Sequence, residues 1–278
     1  MRNSIILLFI TLLSLSCSRL KYLNAFNGYK GNPKNVVSTN YLSQVSEKGD
    51  STIEKLSFEE LYSFDSKGRI VKHLFYSSDS NINKNWWKYV YDKSGNIIQN
   101  TLFRKDSSIV VTNNYQFNKY GQIIQREYLG GNDKSITQKR YDRKKREVII
   151  YGYNKTNDSL YEKEKIYYND KWKDKEIIGF NKSGKLNTRI ENEYDDNQNN
   201  TRQNWYDSNN KMYEFYKNFF NEKNDRIRIE KYNVRKGDTT LIETSKIEYQ
   251  YDLKGNVIYE RFHSNKSTSS ITRTKFLY

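Results

Sequence analysis

The chain has 278 residues, of which 29% are charged and only 35% hydrophobic, and it carries a formal net charge of +15. The length suits one large domain or two ordinary ones, while 25 Tyr, 13 Phe and 4 Trp exclude a disordered polyelectrolyte, because aromatic rings bury large areas on folding. A single cysteine, Cys17, excludes internal disulfides and cysteine-based metal sites. A single proline, Pro33, leaves everything after it able to pair as strands.

At the N-terminus, Arg2 precedes an apolar run from Ile5 to Leu15. That run is well short of the roughly 20 residues needed to cross a bilayer, and it has the length of a secretory signal core. It ends in Leu-Ser-Leu-Ser-Cys, which resembles a bacterial lipoprotein signal. In that family the peptide is cut just before the cysteine, which is then acylated. Ser16 is small, as the cut requires, and Ser14 stands where leucine is commoner. The resemblance implies a signal peptide over 1–16, lipidation of Cys17, and an anchor and linker over 17–32. No acidic tag of the kind that directs lipoproteins to the cell surface in some lineages follows Cys17. The expected location is therefore the outer membrane, lipid-anchored and facing the periplasm.

Beyond the linker, Asn-Val-Val-Ser-Thr-Asn-Tyr-Leu-Ser-Gln-Val predicts a first strand, and Ser-Glu-Lys-Gly-Asp-Ser a turn. A repeat then sets in. Phe64, Tyr91, Phe117, Tyr141, Tyr168, Tyr194, Phe220 and Tyr251 recur at about 26 residues, and each is followed by Asp or Asn. In Tyr-Asp-Lys-Ser-Gly-Asn (91–96) the Asp opens a tight turn and Gly95 closes it in the left-handed region. Gly68, Gly121, Gly255 and Asn224 fill the same slot. Lys145, Trp172 and Gln198 do not suit it, which predicts looser or differently built turns there. Polar stretches halfway along each unit supply a second turn.

The spacing thus predicts an all-β domain over 33–278. It reads as an antiparallel up-and-down sheet of about sixteen strands, open and coiled, built from β-hairpin repeats. Alternation puts Tyr89 with Tyr91, Tyr115 with Phe117, and Tyr249 with Tyr251 on one face, opposite Lys88, Val90, Lys246, Glu248 and Gln250.

Tyr-Val-Tyr-Asp-Lys-Ser-Gly-Asn-Ile-Ile (89–98) and Tyr-Gln-Tyr-Asp-Leu-Lys-Gly-Asn-Val-Ile (249–258) resemble the YD repeats of RHS-type bacterial proteins. By period the resemblance covers roughly residues 41 to 278. In large members such repeats form a β shell around a toxin domain. Here the repeats run to the end of the chain, which looks too short to close a shell, so the resemblance implies a short YD-repeat lipoprotein without a toxin domain.

The search for chemistry is mostly negative. His73 and His263 have no ligand or catalytic partners at defined spacing, and no nucleophile elbow, P-loop or dinucleotide fingerprint occurs. No catalytic residue, metal or cofactor is expected. Trp86, Trp87, Trp172 and Trp205 are candidate stacking residues for sugar, although packing between repeats is the favoured account of them. Asp142 to Glu147 (Asp-Arg-Lys-Lys-Arg-Glu) is the densest cationic run, a solvated loop or an anion contact. Export argues against nucleic acid as a partner, despite the basic balance. The reading is a non-catalytic, lipid-anchored envelope scaffold that binds protein or polysaccharide along its sheet. The alternatives are an envelope glycan-active enzyme and an outer-membrane β-barrel.

Overall fold

The repeated turn sets the local geometry. At 92–96 the Asp92 N–H donates to Asn96 O (2.9 Å), Gly95 N–H donates to Asp92 O (3.1 Å), and Asn96 N–H donates to Asp92 Oδ1 (2.8 Å). Gly95 sits at φ +84°, and a Cβ there would meet nothing within 4 Å. What glycine relieves is therefore backbone strain, not crowding. The carboxylates that open these turns, Asp92 among them, accept side-chain and backbone N–H bonds that hold them below the usual range, against the opposing effect of partial burial.

The computed structural model describes residues 33–45, 52–77, 85–131, 133–154, 159–265 and 269–277, and Cys17 with the signal and linker lies outside them. Strand β1 (Asn35–Val45) comes first. The first four hairpins are β2 (Thr52–Phe64) with β3 (Ile70–Ser77), β4 (Asn85–Tyr91) with β5 (Ile97–Phe103), β6 (Ile109–Phe117) with β7 (Ile123–Gly130), and β8 (Asp133–Asp142) with β9 (Glu147–Asn154). The next two are β10 (Ser159–Tyr168) with β11 (Asp174–Phe180), and β12 (Leu186–Tyr194) with β13 (Asn200–Tyr206). The last two are β14 (Met212–Phe220) with β15 (Arg226–Arg235), and β16 (Asp238–Tyr251) with β17 (Val257–Ser264). Strand β18 (Ser269–Leu277) ends the series. All the described regular structure is strand.

Every strand pairs antiparallel with its neighbours in sequence, as the up-and-down reading expected. The open sheet of about sixteen strands is corrected, however: the sheet has eighteen strands and is closed. Strands β1 and β18, which flank the eight hairpins, pair with each other from Asn35↔Leu277 to Ser43↔Ser269. Lys34 N–H donates to Leu277 O (2.8 Å), and Asn40 Nδ2 donates to Thr272 Oγ1 (3.0 Å) across the seam. Closure removes both edges, each of which would otherwise present a row of unpaired backbone groups. The chain, which seemed too short to enclose anything, closes on itself as a barrel.

Followed once around the ring, the registers return to β1 displaced by about 20 residues. Eighteen strands with that stagger tilt by about 40°, and a round section would be roughly 33 Å across between backbones. Side chains at alternate positions converge on the inner wall. The core clusters lie there: Val148, Ile150, Ile166, Tyr168 and Ile177 in one, and Val36, Tyr62 and Ile70 in the other. Tyr89, Tyr91, Tyr115, Tyr249 and Tyr251 share the inner face, and Lys88, Lys246 and Glu248 the outer, in the groupings that alternation predicted. Ile149, Phe215 and Ile271 are buried although they point outward. Phe215 is covered by the stacked ring of Tyr232 (4.5 Å) and by Arg202.

The turns correct a second expectation. Trp172 (φ +60°) and Gln198 (φ +66°) take the same left-handed conformation as the glycines, with the same hydrogen bonds. Neighbouring hairpins impose the turn on residues that disfavour it. Only the β8–β9 turn is built differently, with Arg146 (φ +52°) left-handed in place of Lys145.

Two measurements test these features. In a Cys17→Ser background, Asn40→Cys with Thr272→Cys should oxidise to an intramolecular crosslink that speeds migration on a denaturing gel. An open sheet would hold these positions far apart and give none. Gln198 Oε1 is buried without a hydrogen-bond partner, so Gln198→Gly removes both a strained φ and an orphaned acceptor. It should stabilise by about 1 kcal/mol in a urea titration, whereas Gly95→Val should destabilise by about 1–2 kcal/mol.

Candidate functional site

The inner wall is the one surface on which the repeat concentrates chemistry. Paired positions carry its rows from strand to strand: Tyr62↔His73↔Trp87↔Leu102↔Val111 runs across β2 to β6. The tyrosines of the repeat have a second role. Tyr91 Oη donates to Ile70 O (2.6 Å), Tyr141 Oη to Ile123 O (2.7 Å), and Tyr194 Oη to Asp174 O (3.0 Å). In each case the hydroxyl reaches back to the first residue of the preceding hairpin's outgoing strand. Adjacent hairpins are thus stitched together from the inside. Burial pushes the Tyr91 and Tyr194 phenols well above the ordinary range, which keeps them protonated as donors. The Tyr-or-Phe choice at the slot was the sequence signal for this stitch: Phe64, Phe117 and Phe220 lack the hydroxyl.

Several polar side chains inside the barrel are paired, although the buried Asn200 Oδ1 has no partner. Asn113 Nδ2 donates to Asn100 Oδ1 (2.8 Å), and Arg126 Nη2 donates to Asn113 Oδ1 (2.8 Å). Lys231 Nζ lies 2.8 Å from Glu214 Oε2, while Tyr216 Oη donates to Glu214 Oε1 (2.5 Å). His73, read from the sequence as a strand residue without partners, stacks on Tyr62 (4.2 Å) and has Nε2 3.2 Å from Glu60 Oε1. His263 points outward, opposite Lys246.

One group of inward carboxyls differs electrostatically. Register places Lys139 opposite Ile150, Ile150 opposite Glu164, and Tyr168 opposite Asp174. Burial, reinforced by the neighbouring Glu164, pushes the Asp174 carboxyl up to about 7, against the pull of Lys173 and Lys139. Burial raises Glu164 as well. Asp174 can therefore hold a proton near neutral pH, with a second carboxyl of raised proton affinity, Glu164, on the same wall. Sequence reading missed them, because nothing local marks which carboxylates converge. Among the described residues no group of His, Cys, Asp and Glu forms a metal site.

The four tryptophans are not brought together. Trp87 and Trp205 lie on the inner wall, on β4 and β13, half the ring apart. Trp205 Nε1 donates to Gln203 Oε1 (2.9 Å). Trp86 points outward, stacked on Phe103 (4.2 Å) with Lys72 above it. Trp172 occupies the tip of the β10–β11 turn, 37% exposed.

The outer wall is charged. Arg189 Nε pairs with Glu176 (2.5 Å), and its Nη2 pairs with Glu191. Lys134 pairs with Glu127 (2.7 Å), and Lys165 with Glu162 (2.8 Å). Arg228 and Lys246 lie opposite each other, as do Glu248 and Arg261.

No protein-family model and no curated protein matches the chain. Among solved structures, a porin-like protein from Bacteroides uniformis is 10% identical, with 88% of this chain and 96% of that one covered at a TM-score of 0.42. A porin-like protein from Bacteroides vulgatus is 13% identical, covering 88% and 98%, at 0.36. The TcdB2-TccC3-Cdc42 structure is 14% identical and covers 84% of this chain but 11% of that one, at 0.33. Likenesses this slight carry no conclusion about activity, and the barrel rests on its own strand pairing.

The raised Asp174 carboxyl gives a pH signature. Because its folded-state proton affinity is raised, the folded state binds more protons than the unfolded state between about pH 4 and 7. Stability attributable to this group therefore falls as pH rises through that window, and the penalty is complete above it. Asp174→Asn should be more stable than the parent at pH 8, with the advantage gone by pH 4, in paired urea titrations. An advantage independent of pH would contradict the burial of this carboxyl.

Proposed function

We propose that the chain is a lipid-anchored cell-envelope protein whose barrel stands clear of the bilayer and offers its aromatic inner wall to a polysaccharide or an extended protein segment. The carrying observation is the polarity of the two walls. A transmembrane barrel needs an apolar outer band, and a charge facing lipid at mid-depth costs about 2–4 kcal/mol. Here Arg189, Arg228, Lys246, Glu248 and Arg261 face outward and interrupt any apolar outer band, while the repeat tyrosines Tyr89, Tyr91, Tyr115, Tyr249 and Tyr251 face inward. This polarity speaks against the outer-membrane barrel alternative and in favour of a water-surrounded one. Anchoring belongs to Cys17. The ligand surface moves from an exposed sheet face, as the open reading had it, to the enclosed wall, where Trp87, Trp205, Tyr89 and Tyr115 are presented to whatever enters. No step of catalysis is required for this role.

A second reading is favoured by one observation, the raised Asp174 beside Glu164. If the ligand is a glycan, Asp174 is placed to donate a proton to a leaving oxygen and Glu164 to assist.

Made from residue 18 onward, without the apolar Ile5–Leu15 run or Cys17, the protein should partition into the aqueous phase in a detergent phase separation and remain monodisperse without detergent. Dependence on detergent would sink the water-surrounded reading. Titrated with soluble envelope polysaccharides, Trp87→Ala and Trp205→Ala should weaken binding, while Trp86→Ala should not. Loss at Trp86 alone would move the site to the outer wall. Release of reducing ends that is abolished by both Asp174→Asn and Glu164→Gln would favour the enzyme.

A further inference from the structure

The barrel has two unlike rims. One carries the repeat turns, at 65–69, 92–96, 118–122, 143–146, 169–173, 195–199, 221–225 and 252–256. The other carries the alternate turns, of which 104–108, 181–185, 207–211 and 236–237 are described together with Gly131. None of these alternate turns has an apolar side chain. Whereas the exposed apolar residues Ile109 and Leu241 near that rim stand on strands, three turns of the first rim hold an exposed apolar residue within the turn itself: Tyr120 (50% exposed), Trp172 (37%) and the fully exposed Leu253. Each has a lysine beside it, namely Lys119, then Lys171 and Lys173, then Lys254.

The Tyr120 and Trp172 turns belong to the β6–β7 and β10–β11 hairpins. Between them stands the β8–β9 turn with four consecutive exposed cations, Arg143, Lys144, Lys145 and Arg146. Asp142 Oδ1 holds this turn by accepting from Lys144 N–H and Lys145 N–H (3.0 Å each). The Arg143 guanidinium lies over the Tyr120 ring at 5.0 Å, so the arc is continuous. The neighbouring turns at Asp195–Asp196 and Glu222 are acidic and lie outside it. The chain also enters at this rim: Phe64 N–H donates to Lys34 O (3.0 Å), beside the first repeat turn. Asn35 stands 18 residues after Cys17, a span that reaches at most about 60 Å.

We propose that the arc from Tyr120 through Arg143–Arg146 to Trp172 is a docking surface for an anionic phospholipid bilayer. An exposed Trp and Tyr set among cations is the composition of an interfacial anchor: the rings settle at headgroup depth while the cations pair with lipid phosphates. The rings keep some contacts within the rim, Tyr120 under Lys119 and Arg143 and Trp172 against Tyr168 (5.8 Å), yet both stay exposed at the turns. Trp172 is even held there at a positive φ that its side chain disfavours. The acidic turns tilt the rim so that the basic arc meets the surface. The lipid on Cys17, where that reading of the anchor holds, brings this rim to the membrane, and the arc then sets the orientation of the barrel mouth.

The test uses the chain from residue 18 onward, without the apolar Ile5–Leu15 run that would itself bind lipid, so that failure of the lipidation reading leaves it intact. Cosedimentation is measured with phosphatidylcholine vesicles, and with the same vesicles containing about a third phosphatidylglycerol. The parent protein should bind the anionic vesicles alone and release in high salt. Tyr120→Ser with Trp172→Asn should weaken binding about tenfold or more. Neutralising Arg143–Arg146 to Gln should weaken it roughly a hundredfold at low salt. Ile109→Ser with Leu241→Ser, exposed aliphatic residues on strands near the other rim, should leave it unchanged. As a second readout, brominated anionic lipid should quench the parent's fluorescence and lose most of that effect in Trp172→Phe. No binding, equal binding to phosphatidylcholine, or an equal loss in the Ile109 and Leu241 variant would overturn the proposal.

Discussion

The β1–β18 ladder is the constraint on which the rest depends. Seventeen of the eighteen strand junctions join sequence neighbours, and any of them could exist in an open ribbon. The junction of Asn35–Ser43 with Ser269–Leu277 alone turns the ribbon into a ring. Once the ring exists, alternation acquires a meaning that a ribbon lacks, because one set of side chains converges and the other diverges. Concavity crowds Tyr89, Tyr115 and Glu164 and strips them of water, and convexity leaves Lys88, Lys246 and Glu248 exposed.

That asymmetry explains how so polar a chain holds together. Among the described residues its buried aliphatic side chains are few, and only some of them gather, in two clusters on different arcs of the wall. Much of the cohesion comes from hydrogen bonds made where water is scarce, including the tyrosine hydroxyls that reach the preceding hairpin's backbone. On the outer wall, exposed ion pairs add little each. Cation–ring contacts such as Arg202 over Phe215 (4.3 Å) and Arg228 over Phe219 (3.8 Å) shelter the apolar surface left there.

The hairpins were legible because each is written locally: an Asp or Asn, a left-handed residue, and apolar positions two apart. The faces were legible for the same reason. Closure was not, since strands that meet across the whole chain leave no periodic mark; β1 and β18 simply fall outside the repeat. Nor could alternation say which face is concave. The turns at Trp172 and Gln198 were misread because residue type was weighed without the neighbours that dictate the backbone. Glu164 and Asp174 stay hidden in the sequence because their chemistry arises from convergence, and Trp86 and Trp87 separate because adjacent residues on a strand must face opposite ways.

The seam also sets an order of events. A chain delivered N-terminus first can zip hairpin by hairpin as it emerges, since nearly all its pairings are local and quick to form. Yet β1, the first strand made, cannot be satisfied on both sides until β18, the last, arrives. For the whole interval an incomplete barrel carries two bare strand edges and an uncovered aromatic face. These are the features that invite pairing with another chain. Only when the nine residues of β18 dock are both edges and the aromatic face covered together.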